Sequence, residues 1–266
     1  MFTTQLFTRI RTVVWILVLA STGTPLLHAN DLFICKQSNS QTSLAGQVFT
    51  FNVSGGTLVG TKTVTVPVGQ CVFVAQGPNL IYSVVEQPKS GTVLTSISAI
   101  GTNNGHTVNA LISENLAAGS AQVQVFTGNT FVTFTNTASV SGFFTGGGSI
   151  FTILGVRITH GMELHCSIGS LPNNLEINWN HDRFHLDSLT SVSCFITSSG
   201  VAVIEGTGTG TLNGVSGYTI TFTFTDAGEP GRMDFASYLI KDPSGLTVLP
   251  ASGLLKFGNQ QFHPTN

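Results

Sequence analysis

Alternating apolar and polar residues run through most of the chain and predict β-strands. In the first half the alternation is clearest in residues 47–53, 61–66, 122–126 and 131–135, where β-branched and aromatic residues recur at every second position. A period of two places such residues on one buried face of a strand. Glycine and asparagine turns separate these segments. Residues 111–118 are the one stretch of this half for which we expect a helical turn.

The second half continues the same pattern. Strands are predicted at residues 175–179, 193–197, 201–205, 218–225 and 236–240. Alternation in the first of these places Leu175, Ile177 and Trp179 on one side, so Trp179 is expected in the core. The dipeptide Asn213-Gly214 predicts a hairpin between its flanking strands.

A glycine-rich segment, residues 141–148, separates the halves and predicts a linker. We therefore expect an all-β protein of two β-sandwich domains in tandem behind a cleavable signal peptide. The predicted boundaries are 1–29 for the signal peptide, 30–140 for the first domain, 141–148 for the linker and 149–266 for the second domain.

The N-terminus has the features of a secretory signal peptide. Arg9 and Arg11 precede an apolar run at residues 13–20, and Leu27-His28-Ala29 forms a cleavage site. The run is much shorter than the roughly 20 apolar residues of a membrane-spanning helix. Cleavage after residues 21–23 and a retained N-terminal anchor are the alternatives. The pattern predicts a secreted or cell-surface protein without a membrane span in the mature chain.

The charge content argues against nucleic-acid binding, and the cysteine content indicates disulfides. Only 8% of residues are charged and the net charge is −2, so the chain lacks the basic face that nucleic-acid binding requires. Cys35 and Cys71 lie in the first half, Cys166 and Cys194 in the second. An even count in an exported protein indicates disulfides. One disulfide per half is the simplest of three connectivities.

Three stretches of the first half carry a family resemblance: Lys36 with Gly-Gln-Val-Phe at 46–49, Tyr-Ser-Val-Val-Glu at 82–86, and Phe-Thr-Asn at 134–136. Residues 31–137 thereby resemble the prealbumin-like, collagen-adhesin B-type domains of bacterial surface proteins. The resemblance implies an intramolecular isopeptide bond between Lys36 and Asn136, promoted by Glu86. In this chemistry a desolvated lysine is the nucleophile, and a protonated glutamic acid polarises the carboxamide.

The neighbouring Cys35 supports a different expectation for Lys36. Adjacent residues on a strand face opposite sides. If Cys35 is buried in a disulfide with Cys71, Lys36 is predicted to be solvated and inert, and Asn136 to be an ordinary residue at a strand end. Both interpretations stay open at this point.

The second half is similar to the post-COAP domain of secreted bacterial proteins. The matching stretches are residues 160–166, 173–179, 183–190 and 206–231. This resemblance implies an extracellular β-sandwich and carries over no catalytic residue.

The sequence predicts no cofactor, with a calcium site as the alternative. Asp226, Glu229 and Asp234 surround a turn, and carboxylate oxygens are the ligands that Ca²⁺ prefers; the alternative is that Asp226 caps the turn and the others are solvated. The histidines near Cys166 and Cys194 suggest a zinc site, but a disulfide accounts better for cysteines in an exported chain.

No nucleophile or phosphate-binding motif is present. We expect a structural or adhesive binding module without catalytic activity, which binds an extracellular protein or a glycan. One alternative is a secreted carbohydrate-active or other hydrolytic enzyme that uses Glu163, Glu176 or Asp187. The other is a calcium-stabilised extracellular module.

Overall fold

A computed structural model describes residues 30–39, 44–169 and 172–265. The predicted signal peptide, residues 1–29, lies outside the described residues. The described chain is all-β, which confirms the predicted fold class. No helix in this part of the chain is long and apolar enough to cross a membrane.

The described residues of the N-terminal domain form ten strands in two sheets. The strands are β1 (Asp31–Ser38), β2 (Val48–Gly55), β3 (Thr61–Pro67), β4 (Cys71–Gln76), β5 (Leu80–Glu86), β6 (Thr92–Asn103), β7 (His106–Asn109), β8 (Leu111–Asn115), β9 (Ser120–Val125) and β10 (Thr130–Ala138). One sheet has the order β4-β1-β10-β6-β7 and the other β3-β2-β5-β9-β8. Strands β1 and β10 are parallel neighbours, although they are the first and last strands of the domain.

One apolar core fills the space between these sheets. Leu32 and Ile34 come from the first sheet, and Phe51 and Val53 from the second; all four are fully buried. They lie at alternate positions, so the period-two pattern selects the face that each strand turns inward. The domain is a β-sandwich.

The C-terminal domain is a single nine-stranded sheet. Its strands are β11 (Gly142–Phe151), β12 (Arg157–His165), β13 (Asn174–Trp179), β14 (Asp182–Ile196), β15 (Ala202–Leu212), β16 (Val215–Asp226), β17 (Phe235–Lys241), β18 (Thr247–Leu254) and β19 (Phe257–Pro264). The order is β18-β17-β16-β15-β14-β13-β12-β11-β19. The sheet folds over on itself, because strands from both of its ends contribute to one core. Register shifts at 186–188 and 189–191 interrupt β14, and such bulges bend a strand.

Two features predicted from the sequence are confirmed in this domain. Trp179 is buried in the core together with Leu175 and Ile177. Asn213 and Gly214 connect β15 to β16 with φ angles of 51° and 82°. Positive φ at both positions is the geometry of the predicted tight hairpin.

The predicted linker at 141–148 is wrong, because this segment forms most of strand β11. Its glycines allow close approach of the strands on either side. A Cβ atom on Gly147 would lie 2.6 Å from the carbonyl oxygen of His160, and one on Gly148 would lie 2.7 Å from that of Phe257. The helical turn expected at 111–118 is also wrong: Leu111–Asn115 is strand β8, which pairs with β9.

The two domains are in direct contact at the junction. Only residues 139–141 separate β10 from β11. The amide of Val140 donates a hydrogen bond to the carbonyl of Cys194 at 2.9 Å, and Ser139 forms a β-bridge with Phe195. The end of β10 is therefore attached to β14 of the second domain.

Candidate cross-linking site

Lys36 is a fully buried lysine in the core of the N-terminal domain. It follows Leu32 and Ile34 on the inward face of β1 and has no exposed surface. Its Nζ lies 4.3 Å from the centroid of the Phe49 ring. A lysine in such surroundings needs polar partners, since burying an unpaired ammonium is costly.

Two side chains supply those partners. Lys36 Nζ lies 3.1 Å from Glu86 Oε2 and contacts Asn136 Oδ1. Asn136 Nδ2 donates a hydrogen bond to Glu86 Oε1 at 2.7 Å. The Glu86 carboxylate therefore bridges the amine and the carboxamide, with one oxygen toward each. All three side chains are at most 5% exposed.

The strand order explains how residues 100 positions apart come together. In the parallel pair of β1 and β10, Lys36 is opposite Phe134 and Ser38 is opposite Asn136. Glu86 lies on β5 of the facing sheet. The site thus lies between the two sheets, where apolar side chains surround it.

The surroundings shift the Lys36 amine toward its neutral form. Desolvation by burial lowers the pKa of Lys36 to about 8, and the charge and hydrogen bond of Glu86 act in the opposite direction. A neutral lysine amine beside a carboxamide carbon is a nucleophile next to an electrophile.

The expectation that a Cys35–Cys71 disulfide leaves Lys36 solvated is wrong. The disulfide forms, but it joins directly paired residues of the neighbouring strands β1 and β4. Cys35 lies on the outer face of the sheet and Lys36 on the inner face, because they are adjacent on one strand. Asn136 does lie near the end of β10, but it is only 2% exposed and its carboxamide contacts Lys36 and Glu86.

The second disulfide joins Cys166 and Cys194. One disulfide in each half, the simplest connectivity predicted from the sequence, is therefore observed. Both cysteines of the C-terminal domain are used in it, and no thiolate is left there for a zinc ion.

The three carboxylates proposed for calcium bind the protein itself. Asp234 is fully buried and accepts hydrogen bonds from the amides of Ala227 and Gln260. Asp226 accepts from two backbone amides, and Glu229 from the side chains of Asn259 and Gln261. Within the described residues, no three His, Cys, Asp or Glu side chains form a group that could hold a metal ion. The geometry lends the calcium prediction no support.

The candidate enzymatic carboxylates lie on three different strands of the second domain. Glu163 is on β12, Glu176 on β13 and Asp187 on β14. Hydrogen bonds from Asn178 and Arg183 lower the pKa of Glu176. A glycosidase acid needs the opposite shift.

The second domain contains a buried polar cluster that was not predicted from the sequence. The Nδ1 atom of His160 contacts the hydroxyl of Tyr238, and the Nε2 atom of His160 lies 2.9 Å from Nε2 of Gln260. Burial lowers the pKa of His160 to about 4. The one signal available was His160 at an inward position of an alternating strand.

Comparison with known proteins adds no functional assignment. No family model and no curated protein matches this chain. The geometry around Lys36 is therefore the strongest indication of chemistry in the molecule.

Proposed function

We propose that this protein is an extracellular structural and adhesive binding module whose first domain is closed by an isopeptide bond between Lys36 and Asn136. The observation that carries the proposal is the Glu86 carboxylate, which lies 3.1 Å from the amine and 2.7 Å from the amide nitrogen. Such a bridge can move a proton from the attacking nitrogen to the departing one.

The reaction is a transamidation that needs no oxidant and no cofactor. The neutral Nζ of Lys36 attacks Cγ of Asn136 and forms a new C–N bond. Glu86 takes a proton from Nζ and delivers a proton to Nδ2, and the Cγ–Nδ2 bond breaks. One ammonia leaves, and Glu86 returns to its starting protonation state. In this arrangement Glu86 serves the leaving nitrogen rather than the carbonyl oxygen.

A structural role fits the position of the bond. Strands β1 and β10 are parallel neighbours at the two ends of the domain. Tension along the chain would pull them in opposite directions. A covalent bond from Lys36 to Asn136, which are 100 positions apart, would carry this load and shield the intervening residues 37–135 from extension.

Extracellular location is supported by two independent features. Residues 1–29 have the pattern of a signal peptide. All four cysteines are disulfide-bonded, which is typical of oxidising compartments.

Intact mass of the exported protein tests the cross-link. We expect a mass lower than the sequence mass by about 17 Da for ammonia, after correction for about 2 Da per disulfide. Lys36→Met and Glu86→Gln should abolish the 17 Da loss, whereas Lys62→Met, at an exposed position, should retain it. Fragmentation should recover Lys36 and Asn136 in one branched peptide. A wild-type mass that lacks only the disulfide hydrogens would contradict the proposal.

A further inference from the structure

A cleft of about 530 Å³ lies between the two domains. One wall comprises residues 86–89, 92–95, 116–119 and Asn136, and the other comprises residues 191–193, Phe195, 205–207 and 221–223. This volume is in the range of sites that bind small molecules. Glu86 and Asn136 reach the cleft from the cross-linking site, but the remaining lining residues have no part in the isopeptide chemistry.

Hydroxyl groups dominate the wall of the second domain. On β16, Ile220 and Phe222 turn into the core, so Thr221 and Thr223 face outward. On β15, Gly206 and Gly208 turn inward and Thr207 faces outward. The glycines are required there, since a Cβ atom on Gly208 would lie 2.6 Å from the carbonyl oxygen of Ser188, and one on Gly206 would lie 2.6 Å from that of Ser191. The core packing therefore presents an ordered row of threonines to the cleft.

The hydroxyl of Thr207 is held in place before any ligand binds. The Oγ1 of Thr207 lies 2.7 Å from Oγ1 of Thr190 and 2.7 Å from Oγ of Ser191. Beyond the cleft the row continues with Ser188 and Thr209, whose oxygens are 2.9 Å apart. Groups that are already ordered lose little entropy on binding. A chain longer than the cleft could continue along this row.

The charges in the cleft are few and balanced. Among the described lining residues, Glu86 is paired with Lys36, which leaves Glu205 and Lys89. Desolvation raises the pKa of Glu205, whose carboxylate accepts a hydrogen bond from Ser193 at 3.3 Å. One carboxylate and one ammonium do not attract a polyanion, and they suit an uncharged ligand with many hydroxyls.

The wall that the second domain contributes does not suit a peptide that would bind as an added β-strand. Strand β15 pairs with β14 on one side and β16 on the other, so its backbone groups are already hydrogen-bonded. A peptide that adds as a strand needs a free sheet edge. Recognition by this wall therefore uses side-chain hydroxyls, which both donate and accept hydrogen bonds. Sugar hydroxyls have the same dual capacity.

We propose that the interdomain cleft binds a neutral oligosaccharide. Thr207, Thr221 and Glu205 bind its hydroxyls, and Leu116 and Pro88 on the opposite wall pack against the apolar faces of its rings. Leu116 is 40% exposed, so it is available for that contact. The inference rests on the proposed role as a binding module and does not depend on the cross-link.

Binding should be measured by calorimetry and on an array of neutral tetra- to hexasaccharides, with a sulfated oligosaccharide and a collagen-type peptide as separate arms. We expect binding of at least one neutral chain. Glu205→Gln should weaken it about tenfold or more, and Thr207→Val or Thr221→Val by about threefold to tenfold. The matched controls Glu114→Gln and Thr65→Val, at exposed positions outside the cleft, should leave affinity unchanged.

Three results would overturn the proposal: no binding across the neutral panel, binding that the cleft variants do not weaken, or binding confined to the sulfated or peptide arm. The last of these would retain a binding module and reject a neutral oligosaccharide as its ligand. Repeating the measurement with Lys36→Met separates the two proposals. Sugar binding should be retained in this variant, because the inference does not depend on the cross-link, and the intact mass reports the cross-link by itself.

Discussion

Cys35 and Lys36 are adjacent on β1 and both are buried, but they lie on opposite faces of the sheet. Cys35 is bonded to Cys71 on the outer face, and Lys36 lies between the two sheets. Each of these side chains thus connects β1 to a different neighbour: Cys35 to β4, and Lys36 to β10.

The first prediction follows from this separation. The double variant Cys35→Ser, Cys71→Ser should still lose about 17 Da, because the disulfide is not part of the site that positions Lys36. Its free energy of unfolding should fall by about 3 to 4 kcal/mol, as the chain-entropy model expects for a loop of this length. Intact mass and denaturant unfolding measure the two effects. A double variant that folds but shows no loss of 17 Da would show that the disulfide is needed for the reaction.

The second prediction concerns the pH dependence of cross-linking. The reactive amine must be neutral, and the pKa of Lys36 is lowered to about 8 by burial. The neutral fraction therefore rises about tenfold per pH unit below pH 8 and levels off above it. Chain refolded from a denatured, unreacted state should show this profile when the 17 Da loss is followed over time. A rate that keeps rising toward the pKa of a solvated lysine would contradict a buried nucleophile.

The third prediction is acid destabilisation of the second domain through His160. Its folded pKa of about 4 lies below the ordinary value of 6.5. The unfolded chain thus binds more protons between these values, and stability falls as the pH is lowered from 6.5 to 4, by about 3 kcal/mol in total. Trp179, the one tryptophan outside residues 1–29, reports on this domain.

A comparison of variants isolates this effect. His160→Gln should flatten the stability profile between pH 4 and 6.5, whereas His185→Gln, at an exposed position, should leave the slope unchanged. If His160→Gln does not fold, the slope of the wild-type protein remains the test: a flat profile across that range would exclude a buried neutral histidine.

The fourth prediction distinguishes a structural role of Asp234 from a calcium site. Asp234→Asn replaces one of the two acceptor oxygens with an NH2 group, so one of the amides of Ala227 and Gln260 loses its acceptor. The free energy of unfolding should fall by about 1 to 3 kcal/mol. Chelator should not alter the melting temperature of either form. Asp187→Asn, on the exposed surface, serves as the control. A melting temperature that falls with chelator and recovers with Ca²⁺ would reinstate the calcium module.

The local sequence pattern predicted part of the fold. Alternation at a period of two identifies strands because successive side chains point to opposite faces. It thus predicted the all-β class, the buried Trp179 and the hairpin at Asn213-Gly214. One cysteine pair per half predicted both disulfides. The family resemblance named Lys36, Glu86 and Asn136, but no local pattern indicates that they touch.

Long-range pairing decided the rest. The parallel register of β1 and β10, and the sheet that faces them, bring Lys36, Asn136 and Glu86 together from distant parts of the chain. The glycine-rich segment 141–148 forms most of a strand because it pairs with β12 on one side and β19 on the other. Small residues occur in closely packed strands as well as in linkers, so composition did not distinguish the two. The cleft exists only because two domains meet. Strand period is a property of a few neighbouring residues, whereas burial, register and cavities depend on what the whole chain packs against each of them.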